Sequence, residues 1–161
     1  MFSPPHGVYS HRIGDRWLVG GASNSGGKAL LRYLTPARMA ELVPHLCPDR
    51  PTGLHWHPLP APGERFPVAD PTLAFDPDPL PTDEAILFQG LLEGIAEVEE
   101  RAYRLLAELG APRLRSVRTV GGGAGNLAWM DIRARLLGVP MLPPVNLEAG
   151  YGAALLARGG T

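Results

Sequence analysis

The chain has 161 residues, 15 basic against 16 acidic side chains and 45% hydrophobic residues, which suits one globular domain with a sizeable core. Lys28 is the only lysine, and no basic stripe is present to neutralise a phosphate backbone, so nucleic acid is not an expected partner. No apolar run approaches the roughly 20 residues that cross a bilayer, and the N-terminus lacks the pattern of a signal peptide. The single cysteine, Cys47, permits no internal disulfide, so a soluble cytoplasmic protein without membrane contact is expected.

Segments 7–12 and 16–20 flank Gly14-Asp15 and predict a β-hairpin. Ser23 or Asn24 is expected to cap a short glycine-rich helix over 26–34, and Thr35 with Pro36 to open a second helix reaching about Leu46. Prolines crowd residues 44–81 and break any helix there. They leave a short strand over 54–58 and, from Pro60 to Pro81, an internal loop. On that strand His55 and His57 would share one side, but no third ligand stands at a suggestive spacing, so both read as surface or loop histidines.

The strongest periodicity lies between Asp83 and Leu109, where Leu87, Leu91, Ile95, Val98, Ala102, Leu105 and Leu109 recur at steps of three or four. This is one face of a long helix, with Thr82 as its cap and Gly110 as its stop. The other face, with Glu97, Glu99, Glu100, Arg101, Arg104 and Glu108, is expected to be solvated. A strand over 116–120, a glycine run, a helix over 127–137 stopped by Gly138, a strand over 139–142 and a helix over 148–157 complete the chain. The alternation predicts an α/β domain, a mixed or largely parallel sheet flanked by helices.

Two glycine-rich junctions carry the best functional signal. At Gly121-Gly122-Gly123-Ala124-Gly125-Asn126 a strand gives way to a helix, and the missing Cβ atoms let a ligand approach the backbone N–H groups at the helix start. A tight connection needing positive φ would use the same residues. Ser23-Asn24-Ser25-Gly26-Gly27 repeats the design, so two helix N-termini could converge on one ligand. The spelling fits neither a dinucleotide fingerprint, which requires a third glycine at position 126, nor a phosphate loop, which requires Gly at 22 and Ser or Thr at 29. Among Glu64, Asp70, Glu93, Asp131 and Glu148, no spacing picks out a general acid and base.

The junction 121–126 with Trp129, then Gly138-Val139-Pro140, then the closing segment from Glu148 to Ala157, together resemble the C-terminal lobe of the FGGY carbohydrate kinases. The strings 19–27 and 62–71 strengthen the likeness, and the segments 7–12 and 63–71 most resemble the D-ribulose kinases of cyanobacteria and plants. The resemblance implies a ribonuclease-H-like, actin-like lobe that works in ATP-dependent phosphoryl transfer to a sugar hydroxyl, with Mg²⁺. It implies nucleotide contacts at Gly26, Gly27, Gly121, Gly122, Gly123, Ala124 and Asn126. Gly125 stands where the family commonly has Lys or Arg, and Asp131 and Arg135 replace its usual Gln and Asp. The family's phosphate motifs and catalytic Asp belong ahead of residue 7, in a complementary N-terminal lobe that also holds most of the sugar contacts. The 161 residues are therefore expected to be one nucleotide-binding domain that is inactive alone. A stand-alone nucleotide-binding or interaction module without catalysis is the alternative.

Overall fold

A computed structural model describes residues 1–148 and 150–159. Ala149, part of the closing motif, lies outside the described residues. Strand β1 (Val8–Ile13) turns through Gly14-Asp15 into β2 (Arg16–Gly21), and the two pair antiparallel with Ile13 opposite Arg16 and Val8 opposite Gly21. The turn works because Gly14 takes φ 55° without a Cβ to clash.

Helix α1 spans only Gly27–Leu30, with Gly26 at its N-cap. It starts close to the expected position but ends early, at Leu30, where the chain tightens into turns with the Arg32 and Tyr33 N–H groups bonded three residues back. Of the expected caps, Ser23 Oγ bonds Glu64 and the Asn24 side chain bonds Gly63 and Arg65. Helix α2 (Pro36–Leu42) begins as the sequence predicts, with the Thr35 side chain accepting from the Arg38 N–H at 3.2 Å. It gives way at Val43 to a 3-10 turn through Pro44, whose ring nitrogen has no hydrogen to continue the ladder.

Helix α3 (Glu84–Glu108) is the centre of the fold. Its cap is Asp83 and not Thr82: Asp83 Oδ1 accepts from the N–H groups of Ala85 and Ile86 at 2.8 and 3.4 Å. A carboxylate there also complements the positive end of the helix dipole. Leu87, Leu91, Ile95, Val98 and Ala102 are buried as the periodicity requires, but Leu106 takes the last core position, and Leu105 and Leu109 are half-buried beside it. The first half of α3 packs with Leu30, Leu34, Leu42, Leu46, Leu59, Phe75 and Ile132, and the second half with Val8 and Phe66 under the hairpin.

The segment 54–58 forms no strand. It lies along α3, on a flat made by Gly90 and Gly94, one helical turn apart, with a tight turn at His55 where the Trp56 N–H bonds the Leu54 carbonyl. A Cβ on Gly94 would stand 2.8 Å from the Trp56 carbonyl oxygen and 2.9 Å from Pro58 Cδ. Contact with a helix has replaced contact with a neighbouring strand, and Pro58 offers no N–H to a ladder. Gly94→Ala must push backbone aside, so we expect it to cost about 2 kcal/mol, measurable as a lower urea midpoint at unchanged slope. Just upstream, buried Gln89 and Glu93 of α3 hold the proline-rich loop: Gln89 bonds Cys47 and Arg50 backbone, and Glu93 accepts from Thr52 and from Arg135.

Strand β3 (Val117–Arg118) pairs in parallel with β4 (Met141–Leu142) across helix α4 (Leu127–Leu137). The expected single mixed sheet is thus two separate pairs among the described residues, β1–β2 and β3–β4. The protein is mixed α/β, with β2 against α3 and the β3–β4 pair reaching α3 through α4. Gly138 ends α4 in the left-handed conformation as expected, and α5 (Gly150–Ala157) has no buried residue among those described. No helix is long and apolar enough to cross a membrane among the described residues.

Candidate functional site

One buried carboxylate organises the first glycine-rich turn. Glu64 Oε2 accepts from Ser23 Oγ at 2.7 Å and from His57 Nε2 at 2.8 Å, while Oε1 accepts from the N–H groups of Asn24 and Arg65 at 2.6 and 2.8 Å. Arg101 Nη2 lies 3.2 Å from His57 Nδ1. A guanidinium only donates, so Nδ1 is the acceptor and the ring proton sits on Nε2, aimed at Glu64. Burial pushes the Glu64 carboxyl up, but these four hydrogen bonds outweigh it and hold the group at about 2.

Two sequence expectations change here. His57 is a largely buried partner of Glu64 and not a surface histidine, whereas His55 is exposed. The charged face of α3 is not wholly solvated, because Arg101 reaches His57 and Glu99 forms a bidentate pair with buried Arg133, both bonds at 2.7 Å. Arg133 also donates to Thr119 Oγ1, beside β3, and lies 5.1 Å over the Trp129 ring. Arg133 thus ties α4 to both α3 and the end of β3, alongside the Arg135–Glu93 pair and buried Ile132.

The Glu64-bound turn and α4 border one cavity of about 430 Å³. Gly20, Gly21, Ser25 and Gly26 line one side, Trp129 another, and Phe66, Val98 and Tyr103 the apolar floor. Ser25 Oγ and Trp129 Nε1 are buried and have no hydrogen-bond partner among the described residues. Both residues line the cavity, while these two atoms are themselves shut off from solvent.

The expected site residues divide by what their own surroundings demand. Gly123 is required by packing, since a Cβ would fall 2.4 Å from the Trp129 ring. Gly121 adopts φ 80°. Asn126 caps α4, its Oδ1 accepting from the Trp129 N–H at 3.0 Å. Ala124 lies in the 3-10 turn Gly122–Gly125. Gly26, Gly27 and Gly122 have nothing within 4 Å of a built Cβ, so neither packing nor a left-handed φ explains their lack of a side chain. Of the expected residues Gly26 reaches the cavity wall itself, and Gly123 reaches it through Trp129.

Sequence reasoning missed the roles of Glu64, His57 and Arg133. The one available signal was a lone Glu inside an apolar, proline-flanked string at 62–68. No group of three potential metal ligands is present among the described residues.

A family model described as the C-terminal domain of the FGGY family of carbohydrate kinases matches residues 4–158. The chain is also similar to autoinducer-2 kinase of Yersinia pestis (strain Pestoides F) and of Yersinia pseudotuberculosis serotype O:1b (strain IP 31758). In each case it is 37% identical over 81 residues, half of this chain. The matched stretch spans 15% of the length of those relatives.

Proposed function

This chain belongs to the FGGY family of carbohydrate kinases through their C-terminal domain, and from that premise we propose that it is the nucleotide-binding half of an ATP-dependent sugar kinase of the D-ribulose type. The family membership implies a ribonuclease-H-like fold, and the described residues form a mixed α/β structure with two small strand pairs. The observation that carries the nucleotide reading is the cavity of about 430 Å³ lined by Ser25 and Gly26 of the first glycine-rich turn and by Trp129 of α4, the helix that the second turn leads into. In this reading ATP lies with its phosphates toward Gly26 and Gly27 and its adenosine toward Gly121, Gly122, Gly123, Ala124 and Asn126.

ATP supplies the γ-phosphoryl group, and Mg²⁺ accompanies its phosphates. This chain's own work is positional. Glu64 fixes the turn at 23–25 through Ser23 and the Asn24 N–H, and Asn126 with Arg133 fixes α4. Phosphoryl transfer depends on placing the acceptor hydroxyl in line and neutralising phosphate charge. Those groups belong to a complementary lobe in this reading, so the chain alone binds nucleotide without transferring phosphate.

Titration calorimetry of the full chain with MgATP tests this. Wild type is expected to bind, and Gly27→Leu to weaken binding at least tenfold with its urea midpoint unchanged, since no atom lies within 4 Å of the new Cβ. No affinity at millimolar MgATP, or equal affinity in both proteins, overturns it. Adding an N-terminal lobe of the D-ribulose kinase type and measuring ADP release with D-ribulose separates the kinase half from a stand-alone nucleotide module, which would release none.

A further inference from the structure

The hydrogen bonds on Glu64 continue in both directions and join α3 to the cavity wall. Half-buried Arg101 is anchored on its own helix by a bond from Nε to the Glu97 carbonyl at 3.4 Å, and its Nη2 donates to His57 Nδ1 at 3.2 Å. His57 Nε2 donates to Glu64 Oε2, which also accepts from Ser23 Oγ. Ser23 Oγ in turn accepts from the Ser25 N–H at 2.9 Å. Each link fixes the direction of the next. A neutral imidazole has one donor and one acceptor, and both are spent here. A hydroxyl has one hydrogen, so Ser23, having given it to Glu64, offers only lone pairs to Ser25. Ser23, Ser25 and Gly26 line the cavity of about 430 Å³, whereas His57 and Arg101 stand behind its wall.

We propose that His57, oriented by Arg101, is a positioning residue for nucleotide binding: its Nε2 proton locks the rotation of the Glu64 carboxylate, and that rotation sets where Ser25 and Gly26 meet the ligand. The Glu64 side chain is wholly shielded from solvent and that of His57 largely so, which keeps water from replacing a lost donor at Oε2. Without the imidazole the carboxylate turns to share its remaining donors. Ser23 Oγ and the Asn24 N–H hold different oxygens of that group, so turning it displaces both, and Ser25 moves with Ser23. Hydrogen bonds behind a site hold its geometry in this way. Arg101 sets the ring because a guanidinium only donates, leaving Nδ1 to accept and the proton on Nε2. The role of the turn rests on the nucleotide reading above; what holds the turn does not.

Two measurements on the full chain separate these parts. Amide exchange at Asn24 and Ser25 reports the turn with no nucleotide present, and calorimetry with MgATP reports binding. His57→Phe keeps a ring but has no donor. It is expected to speed exchange at Asn24 and Ser25 about tenfold or more relative to Leu91 in the α3 core, and to weaken MgATP by a similar factor. His57→Gln keeps one donor and one acceptor and is expected to stay within about threefold of wild type in both. Arg101→Met, at the half-buried end of the chain of bonds, is expected to move both measurements the same way by about threefold, and it covers the case in which His57→Phe fails to fold. In a wild type that binds MgATP, unchanged exchange, unchanged affinity, or a glutamine variant as impaired as the phenylalanine one overturns this inference alone. A wild type without affinity at millimolar MgATP overturns the nucleotide reading, and the positioning role with it.

Discussion

Glu64→Ala is expected to cost about 3–5 kcal/mol of folding stability, the range for removing one partner from a buried charged cluster. Four donors lose their acceptor at once: Ser23 Oγ, His57 Nε2 and the N–H groups of Asn24 and Arg65. Glu64→Gln is milder yet still destabilising, because every partner is a donor and one half of the amide would present hydrogens to hydrogens. The wild-type pH dependence follows from the same contacts. The Glu64 carboxyl is held at about 2, below its ordinary 4.5, so the folded state binds its proton less readily than the unfolded chain does. Stability from this group is complete above about pH 4.5 and is lost as pH falls toward about 2. The difference is worth about 3 kcal/mol. Urea unfolding from pH 7 to 2.5 should reveal this loss in wild type and a flatter profile in Glu64→Gln. Identical acid profiles would refute the assignment.

Arg133→Met is the second large effect, at about 3 kcal/mol. It leaves Glu99, on α3, without its bidentate partner and releases Thr119 beside β3. Adding Glu99→Leu should recover much of the loss, since an apolar pair no longer contains a stranded carboxylate. A double-mutant cycle by denaturant unfolding should therefore give a coupling of at least about 1.5 kcal/mol. Near-additive losses would show that Arg133 works through packing on Trp129 alone. Nucleotide affinity, where present, should fall with Arg133→Met more than global stability explains, because Trp129 and the 121–126 turn move with α4.

Both predictions concern residues that local patterns left silent. Glu64 is 41 residues from Ser23 and 40 from Asn24, and Arg133 is 34 from Glu99. Each side chain's neighbours along the sequence say nothing of those partners. His57 shows the cost of reading locally: spacing placed it beside His55 on a strand, whereas the backbone lies on a helix and only one of the two imidazoles is buried.

What the sequence determined by itself was whatever a few consecutive residues can encode. The Gly14-Asp15 turn, the Thr35-Pro36 start of α2, the apolar stripe and length of α3, the Asn126 start of α4 and its Gly138 stop are all written in caps, glycines and periodicity, because their hydrogen bonds close within a turn or two. Tertiary structure alone decided that 54–58 joins a helix face made flat by Gly90 and Gly94, that the strands stay as two pairs, and that Glu64 holds the first glycine-rich turn. It also separated the glycines that packing or φ requires, Gly123 and Gly121, from Gly26, Gly27 and Gly122, which nothing in the fold obliges to be bare. Strand pairing and burial join residues far apart in the chain. Their free energy depends on distances and partners that exist only after the chain has folded.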